Sequence, residues 1–176
     1  MTIKRKLKLI FDRATEDDAC ELAALHTAVA RSLRSQFGTG RWCAEVNEQQ
    51  ALRSIRFAHK FSWLLVARCA GHIVGTLRLA TKKPWAIDLR YFTPCERALY
   101  LHGMAVSPAR QHEGIGAACV EEAKRIALAW PAQTIRLDVY DVPAGAGPFY
   151  SRCGFREMGR VIYRKVPLIY FEQVLC

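Results

Sequence analysis

The hexapeptide Gln111-His112-Glu113-Gly114-Ile115-Gly116 constrains this chain more than any other segment. The apolar run Leu99–Val106 precedes it, reads as a strand and is bounded by Ser107-Pro108. Behind it, 117–130 is rich in Ala, Glu, Lys and Arg at helical spacing and stops at Pro131. Two glycines at a strand-to-helix junction allow a tight backbone turn and close approach of a ligand. The helix start leaves several N–H groups without intrahelical partners and carries partial positive charge, an arrangement suited to phosphate or pyrophosphate. The same residues also suit a plain helix start that needs only flexible backbone.

Spacing excludes two phosphate-binding motifs. A dinucleotide fingerprint places Gly or Ala three residues beyond its second glycine, and here that place holds Cys119, with no acidic residue at the proper distance further on. A P-loop requires Gly-Lys-Ser/Thr, which the chain lacks. A second segment, Ala146-Gly147-Pro148-Phe149-Tyr150-Ser151-Arg152-Cys153-Gly154-Phe155, follows a strand-like run at 134–140. Together, in this order, the two motifs resemble the GCN5-related N-acetyltransferase (GNAT) superfamily: Gln-x-x-Gly-x-Gly is similar to its acyl-CoA pyrophosphate loop, and the second segment to its alanine, Phe-Tyr and Gly-Phe region. The resemblance extends over roughly residues 9–172 and is sharp over 100–155. Pro143 departs from it, standing where many members carry an asparagine, so a cofactor contact from that side chain is missing.

Length and charge fit that resemblance. The 176 residues suffice for one domain with a full core, and 51% hydrophobic with 24% charged residues is ordinary for a globular protein. No apolar run approaches the ~18 residues of a membrane span. The basic start Met1–Lys6 has no signal-peptide apolar segment behind it and reads as a short mobile N-terminus on a cytoplasmic protein. A net charge of +10 raises nucleic acid as a partner, but the basic residues are dispersed and no nucleic-acid motif accompanies them. Seven cysteines at 20, 43, 69, 95, 119, 153 and 176 form no CxxC pair and are odd in number, as expected of reduced thiols with no metal site. Cys153 alone lies near the second motif.

Periodicity gives the remaining elements. A strand is expected at 6–12, a helix capped by Thr15 to Asp18 running to Phe37, a second helix at 45–60 with Leu52, Ile55 and Ala58 or His59 inward, and a hairpin of strands at 63–68 and 72–80. A loop at 82–95 carries Trp85, Tyr91 and Phe92. After the strand at 134–140, a short helix opens at Pro148 and closes at Gly154, and two strands follow at 157–163 and 167–172. This order predicts an α/β (α+β) fold: a GNAT-like mixed central sheet flanked by helices, in a single domain at 1–176.

The resemblance implies direct acyl transfer from acetyl-CoA, as co-substrate, to a primary amine, with no metal. A lysine-like amine of pKa about 10.4 must lose a proton before attack, which costs about 4–5 kcal/mol at pH 7, whereas a thiol of pKa about 8.5 leaves readily. Positioning and amine deprotonation therefore outweigh acid assistance. By resemblance, Tyr150 protonates the leaving thiolate; a packed core tyrosine is the alternative. His102 is the candidate base, expected on the same strand face as Tyr100 and Met104, with Glu96 second. The main chain of Met104, Ala105 and Val106 is implied to bond the pantetheine arm, and Gln111, His112, Glu113, Gly114, Ile115 and Gly116 to hold the diphosphate. Glu113, unfavourable beside a phosphate, is expected to turn away. Trp85, Tyr91, Phe92 and Trp42 are candidates for an acceptor pocket or for the core. The acceptor amine is unidentified, and a homodimer stays open. Two other classes compete: a non-catalytic acyl-CoA-binding or sensing module on the same fold, and a basic nucleic-acid-binding protein.

Overall fold

The computed structural model describes residues 7–175; the expected mobility of 1–6 and the residue Cys176 fall outside it, as do the side chains of Arg41 and of 59–61, so the alternative of His59 facing inward lies outside the described residues. Seven strands form one sheet: β1 (Ile10–Arg13), β2 (Ser62–Cys69), β3 (His72–Ala80), β4 (Ala98–Val106), β5 (Thr134–Tyr140), β6 (Arg156–Tyr163) and β7 (Val166–Val174). Their spatial order is β1-β2-β3-β4-β5-β7-β6. Every neighbouring pair is antiparallel except β4 and β5, which run parallel. The helices are α1 (Ala19–Phe37), α2 (Glu48–Phe61), α3 (Ile115–Ala129) and α4 (Gly147–Arg152). The mixed sheet flanked by helices is the architecture expected from the sequence.

Strand alternation sends side chains to two cores. On one face Leu65, Leu77, Leu99, Leu101, Ile135 and Leu137 pack against Ile115, Val120 and Ala123 of α3. On the other, Leu64, Val66 and Ile73 meet Leu22 and Leu25 of α1 and Ile55 of α2. A smaller cluster of Ile87, Phe92, Tyr100 and Tyr170 continues that second layer beneath the loop between β3 and β4. Phe92, a candidate for the pocket or for the core, is therefore core.

Boundaries shift where local chemistry competes with periodicity. The second helix begins at Glu48 rather than at 45, because Asn47 accepts from the Gln50 N–H while the Gln50 side chain accepts from the Asn47 N–H. Glu45, left outside, pairs with Arg31 and Arg34 of α1. At the other end of the chain, Arg164 and Lys165 both take positive φ and close a tight turn between β6 and β7.

One irregularity and one separation shape the middle of the sheet. Thr76 pairs with Ala105 and Arg78 with His102, so one residue of β3 faces two of β4, a bulge at Gly103 and Met104. Gly103 takes φ +62°, which a side chain rarely tolerates. Meanwhile β4 and β5 pair only at Ala98–Thr134, Leu99–Ile135 and Tyr100–Arg136. Beyond Tyr100 they part, although β5 stays on β7 as far as Tyr140.

Candidate active site

The parting of β4 and β5 opens a cleft of about 490 Å³. Leu101 to Ala105 line one wall and Asp138 to Tyr140 the other; His26 and Val29 of α1 and Tyr150 of α4 close it. The β4 edge facing the cleft has no strand partner beyond Tyr100, which leaves main-chain polar groups of the 104–106 stretch on that edge without a partner from β5. The strand residues assigned to the pantetheine arm thus sit where such main-chain contacts are available.

At the far end of β4 the chain turns through Pro108–Arg110 into the glycine loop. His112 at φ +65° and Gly114 at φ +89° both have positive φ, the kind of backbone from which anion-binding turns are built. Helix α3 starts at Ile115, two residues earlier than expected, with Gly114 as its cap. No side chain caps this end and its first turn has no acid. The contrast with α2, capped at its N-terminus, is informative: the positive end of α3 has no side-chain cap. A Cβ at Gly114 would meet nothing within 4 Å, so open space lies above the loop. Glu113 is held by Arg110, whose guanidinium donates to its carboxylate at 2.7 Å and offsets its charge. Arg110 was not singled out in the sequence; a basic residue three positions before an acid was the available signal.

Gly116 also carries a packing constraint. A Cβ there would lie 3.2 Å from the Phe149 ring, so this glycine makes room for α4 against α3.

Tyr150 is buried on the α3 side of the sheet, among the rings of Phe149, Phe155 and Phe171. Its hydroxyl stands 4.0 Å from the Met104 sulfur. Burial raises its pKa above the usual tyrosine value, and the hydroxyl keeps its proton. The ring is core, as one of the two sequence readings had it, and the residue also lines the cleft.

His102 lies on the α1/α2 side. The bulge at Gly103 breaks the alternation, so Met104 packs with the α3-side core while His102 pairs across to Arg78. The expectation that His102 and Met104 share a face is thereby corrected; an extra residue in a strand reverses the face of everything after it. Burial, and secondarily the charge of Arg78, push the His102 pKa down to about 4, leaving the imidazole neutral near pH 7. His26 of α1, also in the cleft, is lowered by the same two causes. Asp138 on the opposite wall is raised by burial. Neither His26 nor Asp138 was picked out in the sequence: one sits on an ordinary amphipathic helix, the other amid a strand.

Several candidates fall elsewhere. Glu96 is exposed beside Arg97, just before β4, where that strand is still paired with β5, and does not line the cleft. Trp85 is 85% exposed and Tyr91 40%, and they border a separate groove with β6. Trp42, by contrast, is half-buried and lines the cleft, its ring edge-on to that of Tyr140 at 5.7 Å. Among the described residues, the cysteines at 20, 43, 69, 95, 119 and 153 are free. Burial raises the thiol pKa of Cys153, and that of Cys119 to about 12, which disfavours thiolate at either position.

A seven-stranded mixed sheet, parted at its single parallel pair beside an uncapped helix start, defines an acetyltransferase fold. The family model for GNAT acetyltransferases matches residues 27–155, and the chain belongs to that family. No curated protein sequence matches it. Solved structures share the fold at low identity. The ribosomal-protein-alanine N-acetyltransferase of Brucella melitensis is 17% identical with a TM-score of 0.71, covering 94% of this chain and 99% of that one. The PaiA N-acetyltransferase of Thermoplasma acidophilum, in complex with coenzyme A, is 14% identical at 0.73, covering 96% and 100%. The yncA protein of Salmonella typhimurium, with its cofactor acetyl-CoA, is 14% identical at 0.69, covering 96% and 94%.

Proposed function

We propose that this chain transfers an acetyl group from acetyl-CoA directly to the primary amine of an acceptor bound between β4 and β5. The observation that carries this is the parted strand pair running into an uncapped, glycine-opened helix start. The loop fits a diphosphate: its helix start has no side-chain cap, and open space lies where a side chain at Gly114 would stand. When bound, acetyl-CoA supplies an activated thioester. The main chain of Met104, Ala105 and Val106 holds the pantetheine arm along the unpaired edge of β4.

Tyr150 and His102 approach the cleft from opposite faces of the sheet, which separates their duties. The Tyr150 hydroxyl, protonated at neutral pH, donates to the departing sulfur. Neutral His102 accepts a hydrogen bond from the attacking amine and orients its lone pair. A histidine of pKa about 4 is a poor final store for a proton from an amine of pKa about 10.4. Asp138, its carboxyl raised by burial, is the second acceptor on the other wall.

The test is calorimetry of acetyl-CoA followed by thiol release over a panel of amines, including amino acids, polyamines and peptide N-termini. Micromolar binding with amine-dependent thiol release is expected. Binding without release to any amine supports the acyl-CoA-sensing module instead.

A further inference from the structure

A second cavity, of about 450 Å³, adjoins the cleft on the α1/α2 side and shares His26, His102 and Gly103 with it. Arg78 of β3 reaches this cavity, half-buried. Its guanidinium donates to the Ser54 carbonyl oxygen at 3.1 Å and to Ser54 Oγ at 2.5 Å. Both partners are neutral. No ion pair involves Arg78 among the described residues, whereas Arg136, the more deeply buried arginine, is matched by Glu172 at 2.9 Å. The acid lining the cavity, Glu45, is already engaged by Arg31 and Arg34. The two other titratable residues at hand, His26 and His102, are both held toward their neutral forms and offer Arg78 no negative charge. A desolvated guanidinium facing a cavity without a counter-charge is an unsatisfied cation, and its planar fork matches an oxyanion.

We propose that Arg78 anchors a carboxylate of the acceptor, so that the amine acetylated in the adjoining cleft belongs to a small free amino acid. The inference rests on the acetyl-transfer reading above. The carboxylate enters the α2-side cavity against Arg78, and the amino group lies over His102 toward the parted strands. The amino acid's side chain extends into the apolar remainder, toward Leu22 and Ala51. A polyamine brings only positive charge to Arg78 and is disfavoured there.

The experiment compares free amino acids with their carboxamides and with the corresponding decarboxylated amines, as kcat/KM for thiol release, in wild type, Arg78→Lys and Arg78→Gln. An α-amino amide has the less basic amine and is the readier nucleophile at neutral pH, so preference for the acid runs against intrinsic reactivity. Wild type should favour the acid, and Arg78→Gln should reduce the acid-to-amide ratio at least ~30-fold. Arg78→Lys should fall between. Because the ratio is taken within each variant, it does not depend on the fraction folded. Turnover of amides or polyamines as good as that of acids in wild type overturns the proposal and leaves acetyl transfer standing. If no amine is turned over, acetyl transfer fails. The anion site is then decided by calorimetry with N-acetyl amino acids, with and without CoA: Arg78-dependent binding supports it and no binding to wild type overturns it.

Discussion

At the scale of single residues, the site separates packing from chemistry within the same side chain. The Tyr150 ring packs on three phenylalanines, and its hydroxyl stands beside the sulfur of Met104, a second residue of the cleft lining. Tyr150→Phe should therefore fold and bind CoA as wild type does, while losing roughly 10²-fold in kcat, the low end for general acid catalysis, because a thiolate leaves fairly well unaided. Steady-state rates at saturating acetyl-CoA decide this; undiminished kcat removes the acid role. His102 behaves differently with pH. Since its pKa is lowered to about 4, it is already neutral above pH ~5 and does not titrate between pH 6 and 8. A rise in rate over that interval belongs to the amine and should move when an acceptor of different pKa is used. His102→Ala should slow the reaction by a similar factor across about pH 6 to 9, because a neutral acceptor orients the amine equally throughout that interval, and a loss confined to neutrality would make His102 the proton acceptor instead. The sign for stability follows. Between about 4 and 6.5 the unfolded chain binds a proton that the folded His102 refuses, so stability is present above that range and is lost as pH falls through it.

Among elements, the glycine loop and the short helix after it were the most legible parts of the sequence. Strand, turn residues and helical period all change within about ten positions, and each obeys a local rule. What periodicity missed arises from contacts distant in the chain. The bulge at Gly103 depends on pairing with β3, and one inserted residue was enough to move Met104 off the His102 face. Asp138 and His26 become neighbours of the cleft only through the approach of β5 and α1. Gly116 illustrates the same limit: the packing of Phe149 against it was not visible in the motif. The cleaner probe of the loop is accordingly Gly114. Asparagine tolerates left-handed φ better than other side chains and places its amide in the open space above the helix start. Gly114→Asn should weaken CoA binding by more than ~10-fold, since it competes for the N–H groups an anion needs, with a change in melting temperature of only a few degrees. Calorimetry showing unchanged affinity in the folded variant removes the diphosphate assignment. Gly116→Val, by contrast, should lower stability through the Phe149 contact whether or not a ligand is present.

For the molecule as a whole, the excess of positive charge is spread and partly used. Arg31, Arg56, Arg68, Arg125 and Arg160 each face a carboxylate at the surface or near it, so the +10 net charge forms no uninterrupted basic stripe from these residues. Random duplex DNA should consequently bind weakly at low salt and not measurably at physiological salt, as for a few nonspecific phosphate contacts. Fluorescence anisotropy across a salt series checks this, and a salt-resistant submicromolar complex contradicts it. Among the described residues, no helix is long and apolar enough to cross a membrane.

Three residue pairs join β4 to β5, and the same row carries the Arg136–Glu172 ion pair, with Arg136 also donating to the Thr93 carbonyl oxygen. Mechanically the sheet is two leaves bound along a short spine: β1 to β4 on one side, β5, β7 and β6 on the other. Because the spine lies at one end only, a small rotation about it translates into a large change of gap at the open end. Whatever occupies that gap touches both leaves and resists the rotation. Occupancy should then be felt as stiffness far from the contact itself, out to the tips of β5 and β7, where the two leaves have least to hold them together.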